Sequence, residues 1–470
     1  MDEPCASHSG KRGIPHAEVS TMKPSRRQLL QSASAGFGHV AFAGLAAADA
    51  AKNPLAPKAG HFQAKASRVI FLCMRGGPSH METFDPKPRL NADHGKPGKT
   101  PHCKLLGSRW PFKKSGQSGI EVVELLPETA RLADKLCVLR GMHTDNENHP
   151  QALEQLHTGS FQFVRPSLGS WVLYGLGNEN QNLPGFVSIN PLTALGGRRY
   201  YQSAFLPAAC SATLMGDAQR PSANASIGNL ASPRLTGRAQ REQLDLMQSM
   251  NRDFAAKTAD PRVEGLIQSY ELAFRMQDEL PHVLDVRQES KETLALYGIA
   301  NPSSGTFAQQ CLLARRLVEA GVRFVEISHL EWDLHGSLNS GMVRNCAQID
   351  RPVAALLIDL ERRGLLDETL VIWGGEFGRT PEDPTQDGRG HNNKGYCMWL
   401  AGGGVRGGHV HGATDDHGYE AVEGKVHTHD LHATILHLLG LDHERLTYRH
   451  GGRDYRLTDV HGTVVKEIIA

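Results

Sequence analysis

Acidic and imidazole side chains follow four short apolar segments of this 470-residue chain, each at the point where the segment ends. The four groups are His80, Glu82 and Asp85 after residues 68–74; Thr144, Asp145 and His149 after 135–142; Asp333 and His335 after 322–330; and Glu376, Arg379 and His391 after 369–375. Carboxylate oxygens and imidazole nitrogens together suit zinc, manganese or iron, whereas calcium and magnesium prefer oxygen ligands alone. The residue types therefore predict a site for one or two divalent metal ions, zinc or manganese.

The spacing of Asp333 and His335 is the most informative within these groups. On a strand end, two residues two positions apart point to one face, so both side chains can reach one ion. The alternative is an Asp–His pair whose hydrogen bond braces a loop. Glu376 and His391 are further candidate ligands, and the alternatives are a helix-cap or solvated role for Glu376 and an exposed histidine at 391.

Arg379 lies three residues after Glu376 on the same Gly-rich segment. A guanidinium suits a tetrahedral oxyanion such as phosphate or sulfate, because its donors match two oxygens at once. The alternative is an ion pair with a structural acid.

The segments that must position these residues alternate between two patterns. Short apolar runs, each bounded by polar or Gly-rich residues, predict strands over 68–74, 135–142, 322–330, 369–375 and 396–404. Helical spacing, with Gly at or near the end of each segment, predicts helices over 305–321, 344–364 and 428–441. Such alternation is typical of a mostly parallel sheet covered on both faces, in which ligands bind beyond the carboxyl ends of the strands.

Two further segments stand apart from this pattern. Residues 205–300 are polar and helical in spacing, and we interpret them as an insertion or cap on a domain spanning 51–470. Residues 1–50 resemble a twin-arginine signal peptide, with Arg26-Arg27, a weakly apolar stretch and Ala48-Asp49-Ala50 as cleavage site. This predicts a periplasmic or extracellular protein exported by the twin-arginine machinery; the alternative is an ordinary charged pair before a helix.

Composition excludes some classes of function. The formal net charge of +1 gives no electrostatic reason to expect nucleic acid as a partner. The eight cysteines include no CxxC pair, which argues against a zinc ribbon or a thioredoxin-type site. No apolar stretch is long enough to predict a stable membrane span.

Five motifs resemble an uncharacterised bacterial family, domain of unknown function 1501, which is related to sulfatases and the alkaline phosphatase superfamily. The motifs are GGPSHMETFDPKP, WDLHG, GGEFGRTP, GRGHNN and LHATILHLLGL, and the resemblance covers roughly residue 65 to the end. It implies an alkaline-phosphatase-like three-layer α/β/α sandwich. It also implies metal ligands at Asp333, His335, Glu376 and His391, since these match the positions of the superfamily's ligands.

The chain departs from the superfamily at two places. Sulfatases carry a nucleophilic cysteine, within C-x-P-x-R, ten residues before the Gly that here is Gly159; this chain has His149 at that position. Phosphatases use Ser or Thr, and Thr144 is near but offset. The acid expected directly after the first strand is missing, so His80, Glu82 or Asp85 would have to substitute.

The resulting hypothesis is an exported metal-dependent hydrolase of small-molecule or polysaccharide esters of phosphate or sulfate. Asp333, His335 and His391 hold one metal; Glu376, with Asp85 or His80, holds another or shapes the site; Arg379 neutralises the oxyanion; His149 or a water molecule attacks. The alternatives are a non-catalytic binding protein on the same fold and a phosphomutase-like isomerase.

Overall fold

The computed structural model describes residues 53–191, 197–217, 234–258, 261–300 and 306–470. The predicted signal peptide, residues 1–50, lies outside these ranges. Among the described residues, no helix is both long enough and apolar enough to cross a bilayer.

One large sheet organises the molecule. Its strands are β1 Arg68–Met74, β2 Leu136–His143, β3 Phe186–Ile189, β4 Thr213–Met215, β5 Phe324–His329, β6 Thr369–Gly374, β7 Tyr396–Ala401, β8 His409–His411 and β9 Val426–His427. The order is β8-β2-β7-β6-β1-β5-β3-β4, and β9 also pairs with β2. Only β7 runs antiparallel to its neighbours in this sheet, as described, which confirms the predicted mostly parallel arrangement.

The helices of the described residues are α1 Pro88–Ala92, α2 Pro127–Ala130, α3 His149–Thr158, α4 Leu168–Leu176, α5 Gly237–Thr258, α6 Pro261–Leu284, α7 Lys291–Tyr297, α8 Phe307–Glu319, α9 Leu338–Arg362 and α10 Thr428–Leu438. Short 3₁₀ turns cover His80–Glu82, Ala133–Lys135, Gly197–Tyr201, Ala208–Cys210, Val286–Gln288, Leu366–Glu368 and Lys466–Ile468. Two-stranded ribbons pair Lys104–Leu105 with Glu382–Asp383, Phe112–Ser115 with Ile120–Val123, Gly378–Arg379 with His391–Asn392, Ala413–Thr414 with Ala421–Glu423, and Tyr448–His450 with Arg453–Tyr455.

Helices cover both faces of the sheet. Glu326 and His329 lie three positions apart on β5, so their side chains project from opposite faces. Glu326 contacts His157 of α3, with 3.1 Å between Oε1 and Nε2. His329 packs against Phe307 of α8, with 5.1 Å between ring centroids. The fold is therefore the predicted α/β class with three layers.

The strands at the centre of the sheet are apolar because both of their faces are covered. All six residues of β5 and of β6 are buried, and so are six of the seven residues of β1. Strands β2, β6, β1 and β5 are mutually parallel, and their carboxyl ends lie at one edge. The polar groups that follow these four strands are thereby brought to the same edge of the sheet.

The structure differs from the prediction in several elements. Strands β3, β4, β8 and β9 were not predicted, and β4 lies within the segment 205–300, which is otherwise helical where described. Helix α9 begins six residues earlier than predicted, at Leu338. Asp387 accepts hydrogen bonds from two backbone amides at the start of this helix. Its Oδ2 accepts from Ser337 N at 3.0 Å, and its carbonyl accepts from Leu338 N at 2.8 Å. This contact between distant segments has no local sequence signature.

A buried ion pair fixes the loop after β1 to the loop before His391. Arg389 and Glu82 are 0% exposed, and two guanidinium nitrogens donate to Glu82 at 2.9 and 2.5 Å. Arg389 also donates to the carbonyls of Thr380 and Leu106. The pair therefore connects two of the segments that carry the polar groups.

Replacing Arg389 by Met should lower the free energy of unfolding by about 3–5 kcal/mol, because it leaves the Glu82 carboxylate buried and uncompensated. Urea denaturation measures the change. Arg362→Met, at an exposed arginine of α9 with no ion pair among the described residues, is the matched control and should change stability by less than ~1 kcal/mol. Equal effects of the two substitutions would contradict this assignment.

Candidate metal centre

The side chains of Asp333, His149, His335, His391 and Arg379 form one group, the Asp333 cluster. All of its other members lie close to one carboxylate oxygen, Asp333 Oδ1. His335 Nε2 lies 3.1 Å from it, His149 Nε2 3.2 Å and His391 Nε2 3.4 Å. Arg379 Nη2 donates to the same oxygen at 2.5 Å. The side chain of Asp333 is 44% exposed, so the cluster is accessible from solvent.

Three of these side chains have the geometry of a metal-binding set. Asp333 Oδ1, His335 Nε2 and His391 Nε2 are separated by 3.1, 3.4 and 2.9 Å. Ligand atoms about 2.0–2.2 Å from a tetrahedral zinc ion lie ~3.3–3.6 Å apart. Two imidazole nitrogens at 2.9 Å with a carboxylate oxygen beside them therefore fit one ion of the zinc type with little adjustment. His149, Asp333 and His391 form an overlapping group, with ligand atoms within 4.8 Å of one another.

The loop after β5 delivers Asp333 to this point through a strained turn. Glu331 has φ +74°, an unusual conformation for a residue other than glycine. Trp332 is then buried and its backbone N donates to the Arg75 carbonyl at 3.2 Å. The chain passes so close to Gly76 that a Cβ there would lie 2.4 Å from Asp333 N, and Gly76 has φ +107°. Only glycine is compatible with that approach.

His149 stands between two carboxylates at the first residue of α3. Its Nδ1 lies 2.6 Å from Oε1 of the buried Glu376, and its Nε2 faces Asp333 without forming a well-aligned hydrogen bond. Burial disfavours the charged ring, but the contacts with both carboxylates outweigh it and raise the pKa of His149 to about 9. At neutral pH and without metal, His149 is therefore an imidazolium.

The two carboxylates are held in their ionised form. Burial acts to raise the pKa of Asp333, but its imidazole and guanidinium partners hold that pKa well below the usual range. Burial likewise acts to raise the pKa of Glu376, and contact with His149 lowers it overall. Gly76 N donates to Glu376 at 3.0 and 3.3 Å, which adds to the preference for the anion.

Arg379 belongs to the cluster, but its donors face the protein. Its side chain is 1% exposed, and Nε donates to the Gly77 carbonyl at 2.9 Å. Nη1 donates to the Arg389 carbonyl at 3.1 Å, and Nη2 donates to both Gly76 O and Asp333. The structure thus brings Arg379 to Asp333 as a partner that fixes the carboxylate, and leaves few donors for an anionic substrate.

Other predicted residues lie in separate contacts. Asp85 is buried beside Lys87, with 2.9 Å between Oδ1 and Nζ. His80 is buried, and its Nε2 lies 3.0 Å from the Gly418 carbonyl. Thr144 Oγ1 donates to Gln155 Oε1 at 2.9 Å. Among the described residues, none of these three side chains makes a hydrogen bond or ion pair with the Asp333 cluster, so the structure does not assemble a second set of ligands from them and Glu376.

Sequence reasoning missed two contributors to the cluster. The ring of Phe377 is buried and packs against His149 and His391, with centroids 4.7 and 4.8 Å apart. The Gly76-Gly77 turn supplies the amide for Glu376 and two carbonyls for Arg379. The glycines were a readable signal, because a Gly pair directly after a buried strand often marks close backbone approach.

A second group of potential ligands is buried in the layer beneath. Atoms of Cys73, His157 and Glu326 lie within 4.8 Å of one another. Arg75 already supplies a positive charge there, since Nη2 lies 3.7 Å from Glu326 Oε1 and donates to the Tyr201 hydroxyl. Burial raises the pKa of the Cys73 thiol well above its ordinary value, which keeps it protonated. A thiol that stays protonated makes the group a poor metal site, because the thiolate is the form that binds metals.

Comparison with known proteins gives a family and distant structural likenesses. No curated protein matches the chain. Solved structures that resemble it include a phosphonate monoester hydrolase from Silicibacter pomeroyi, at 11% identity and TM-score 0.36 over 80% of this chain and 73% of that one. The PsFucS1 sulfatase from Pseudoalteromonas sp. is 13% identical, with TM-score 0.35 over 81% and 68% of the two chains. The lipoteichoic acid synthase LtaP from Listeria monocytogenes is 10% identical, with TM-score 0.36 over 87% and 78%.

The family match covers most of the sequence. Residues 66–469 match the family described as protein of unknown function (DUF1501), which confirms the resemblance seen in the motifs. The matched range contains every residue of the Asp333 cluster. The chain therefore belongs to the DUF1501 family.

Proposed function

We propose that this chain is a metal-dependent hydrolase of phosphate or sulfate esters. The observation that carries the proposal is the triad of Asp333, His335 and His391, whose ligand atoms lie 2.9–3.4 Å apart. The triad stands beside His149, an imidazole held by a buried carboxylate.

The proposed metal ligands are the three side chains of this triad. One carboxylate oxygen and two imidazole nitrogens suit zinc or manganese, and three protein ligands leave a position for substrate or water. A divalent ion held there would act as a Lewis acid on an ester oxygen.

We propose that His149 is the general acid and then the general base of the reaction. Glu376 accepts from Nδ1 and so fixes the tautomer and orientation of the ring, while the buried Nε2 lies 3.2 Å from Asp333 Oδ1. In its protonated form the ring donates a proton from Nε2 to the leaving oxygen, and the resulting neutral ring accepts one from the attacking water. A protonated imidazole is a poor nucleophile, so this role fits the geometry better than direct attack by His149.

The charge of the cluster favours an anionic ester. Asp333 and Glu376 contribute two negative charges, and Arg379 with protonated His149 contributes two positive ones. Without metal these charges cancel; a divalent ion leaves the site with a net charge of about +2 in this count. Phosphate and sulfate esters are attracted to such a site, whereas neutral carboxylic esters are not.

The chemistry proposed here does not use formylglycine. Residue His149 occupies the start of α3, where a sulfatase would carry its modified cysteine, and the hydroxyl of Thr144 is engaged by Gln155. The attacking group is therefore proposed to be water.

Export by the twin-arginine route remains part of the proposal. It rests on Arg26-Arg27 and on Ala48-Asp49-Ala50, which precede the family match. N-terminal sequencing of protein secreted by a host with a functional twin-arginine system should give Ala51 as the first residue. Export that persists after Arg26-Arg27→Lys-Lys, or after removal of that system, would contradict it.

Kinetics on aryl phosphates, phosphodiesters and aryl sulfates test the proposed roles. His149→Gln should lower kcat/KM by about 10²–10⁴, the usual contribution of a general acid or base. Glu376→Gln should lower it by about 10–100-fold, because it only orients the ring. His282→Gln, at an exposed histidine on α6, is the control and should retain full activity. Protein that is inert with every added divalent ion, or full activity in His149→Gln, would contradict the proposal.

Stability of the metal-free protein should depend on pH through His149. The pKa of His149 is raised from 6.5 to about 9 in the folded protein, so its contribution is complete below about pH 6.5 and is lost as pH rises through 9. We expect the free energy of unfolding to fall by ~1–3 kcal/mol between pH 6.5 and 9.5 in the presence of a chelator. His149→Gln should lack this fall in urea titrations, and an identical fall in both proteins would contradict the assignment.

A further inference from the structure

A cavity of about 660 Å³ opens at the carboxyl ends of β3 and β5, between these strand ends and helices α8 and α9. Its volume lies within the range of about 300–1,000 Å³ that is typical of ligand sites. The Asp333 cluster does not use any of its lining residues. The cavity therefore needs an explanation of its own.

The loop after β5 both lines the cavity and carries Asp333. Leu330 and Glu331 line the cavity, and Asp333 follows two residues later. Consecutive Cα atoms are about 3.8 Å apart, so the Cα atoms of Leu330 and Asp333 are separated by at most ~11 Å. A ligand of two or three sugar units is long enough to reach from one to the other.

The charged residues of the cavity favour an anion. Arg344 and Glu331 form an ion pair of 3.0 Å, but both side chains are about half exposed or more, so the pair is weak. Arg351 has no ion pair among the described residues; its guanidinium donates to the Ala295 and Leu296 carbonyls. The lining therefore carries two guanidinium groups against one carboxylate.

His329 also lines the cavity, and it adds no charge to the lining. His329 Nδ1 accepts from Trp332 Nε1 at 3.0 Å, so its proton is on Nε2, which lies 2.9 Å from Gln348 Oε1. Burial lowers the pKa of His329 to about 4, so the ring is neutral. Its proton satisfies the Gln348 oxygen.

The uncharged lining residues suit hydroxyl groups and a sugar ring. Asn190 and Gln310 line the cavity, and each has a buried side-chain oxygen with no hydrogen-bond partner among the described residues, which is uncommon in proteins. Pro352 lacks an N–H, so the carbonyl of the lining residue Gln348 accepts no i+4 hydrogen bond. Tyr297 and Phe307 also line the cavity, and both are largely buried.

Two residues that line the cavity have backbone conformations that are unusual for residues other than glycine. Asn190 and Glu331 both have positive φ, +49° and +74°, and both line the cavity at strand ends. Such conformations are costly for residues other than glycine and cluster at functional sites.

We propose that this cavity binds an anionic sugar unit of an oligosaccharide whose ester is presented to the Asp333 cluster. The assignment rests on the proposed hydrolase function, since it names the class of substrate for that site. Arg344 and Arg351 bind the negative group, and the side-chain oxygens of Asn190 and Gln310 bind hydroxyls. A uronate and a sulfated sugar share this chemistry.

Calorimetric titration tests the binding with three probes: a trigalacturonate, a sulfated maltotetraose and the neutral maltotetraose. The wild-type protein should bind at least one of the two anionic probes at least tenfold more tightly than the neutral one. Arg344→Gln should weaken that binding by about tenfold, the usual effect of losing a charge-assisted hydrogen bond. Arg362→Gln, on the same helix but outside the cavity, should bind as wild type, with thermal unfolding as the check on folding.

The outcomes separate this inference from the proposed function. Binding of neither anionic probe, equal affinity for the neutral probe, or unchanged affinity in both Arg344→Gln and Arg351→Gln would overturn the cavity's assignment. Which anionic probe binds identifies a uronate or a sulfated sugar. Hydrolysis of small aryl esters by wild-type protein is measured separately, so an inactive protein that still binds the anionic probes would overturn the hydrolase proposal alone.

Discussion

The convergence of four positively charged or imidazole groups on one oxygen of Asp333 is the constraint around which the rest is arranged. Three imidazole nitrogens lie within 3.4 Å of Oδ1, and Arg379 donates to it as well. One carboxylate oxygen cannot satisfy so many partners as a simple hydrogen-bond acceptor, because it has two lone pairs. A cation shared among the carboxylate and the imidazoles would resolve that conflict, and for this reason we propose a metal centre rather than a structural Asp–His pair.

The surrounding fold is built to keep Asp333 in place. Parallel strands bring the loops after β2, β5 and β6 to one edge, and helix α3 starts there with His149. Arg379 ties Asp333 to the Gly76-Gly77 turn, and a glycine at 76 is required because the loop carrying Asp333 passes within contact of its Cα. Glu376 and Arg379 are buried and hydrogen-bonded to the Gly76-Gly77 turn, whereas the side formed by Asp333 and His335 faces solvent.

The sequence predicted the parts that depend on local patterns. Apolar runs located β1, β2, β5, β6 and β7 to within a few residues, and strand direction then placed Asp333, His335, Glu376, His391 and His149 at one edge. The sequence did not predict the contacts between residues that are distant along the chain. Asp387 sets the start of α9, and Lys87 engages Asp85 away from the cluster. The donors of Arg379 are taken by carbonyls from distant turns, and no spacing in the chain indicates that.

X-ray absorption spectroscopy of the zinc-loaded protein tests the central claim most directly, because it reports the atoms bound to the metal. The account predicts nitrogen and oxygen ligands at about 2.0–2.2 Å, with the multiple scattering of imidazole and no sulfur. Asp333→Asn should abolish stoichiometric loading. A sulfur ligand at about 2.3 Å would place the ion with Cys73, His157 and Glu326 instead, and that result, or failure to bind zinc at all, would contradict the account.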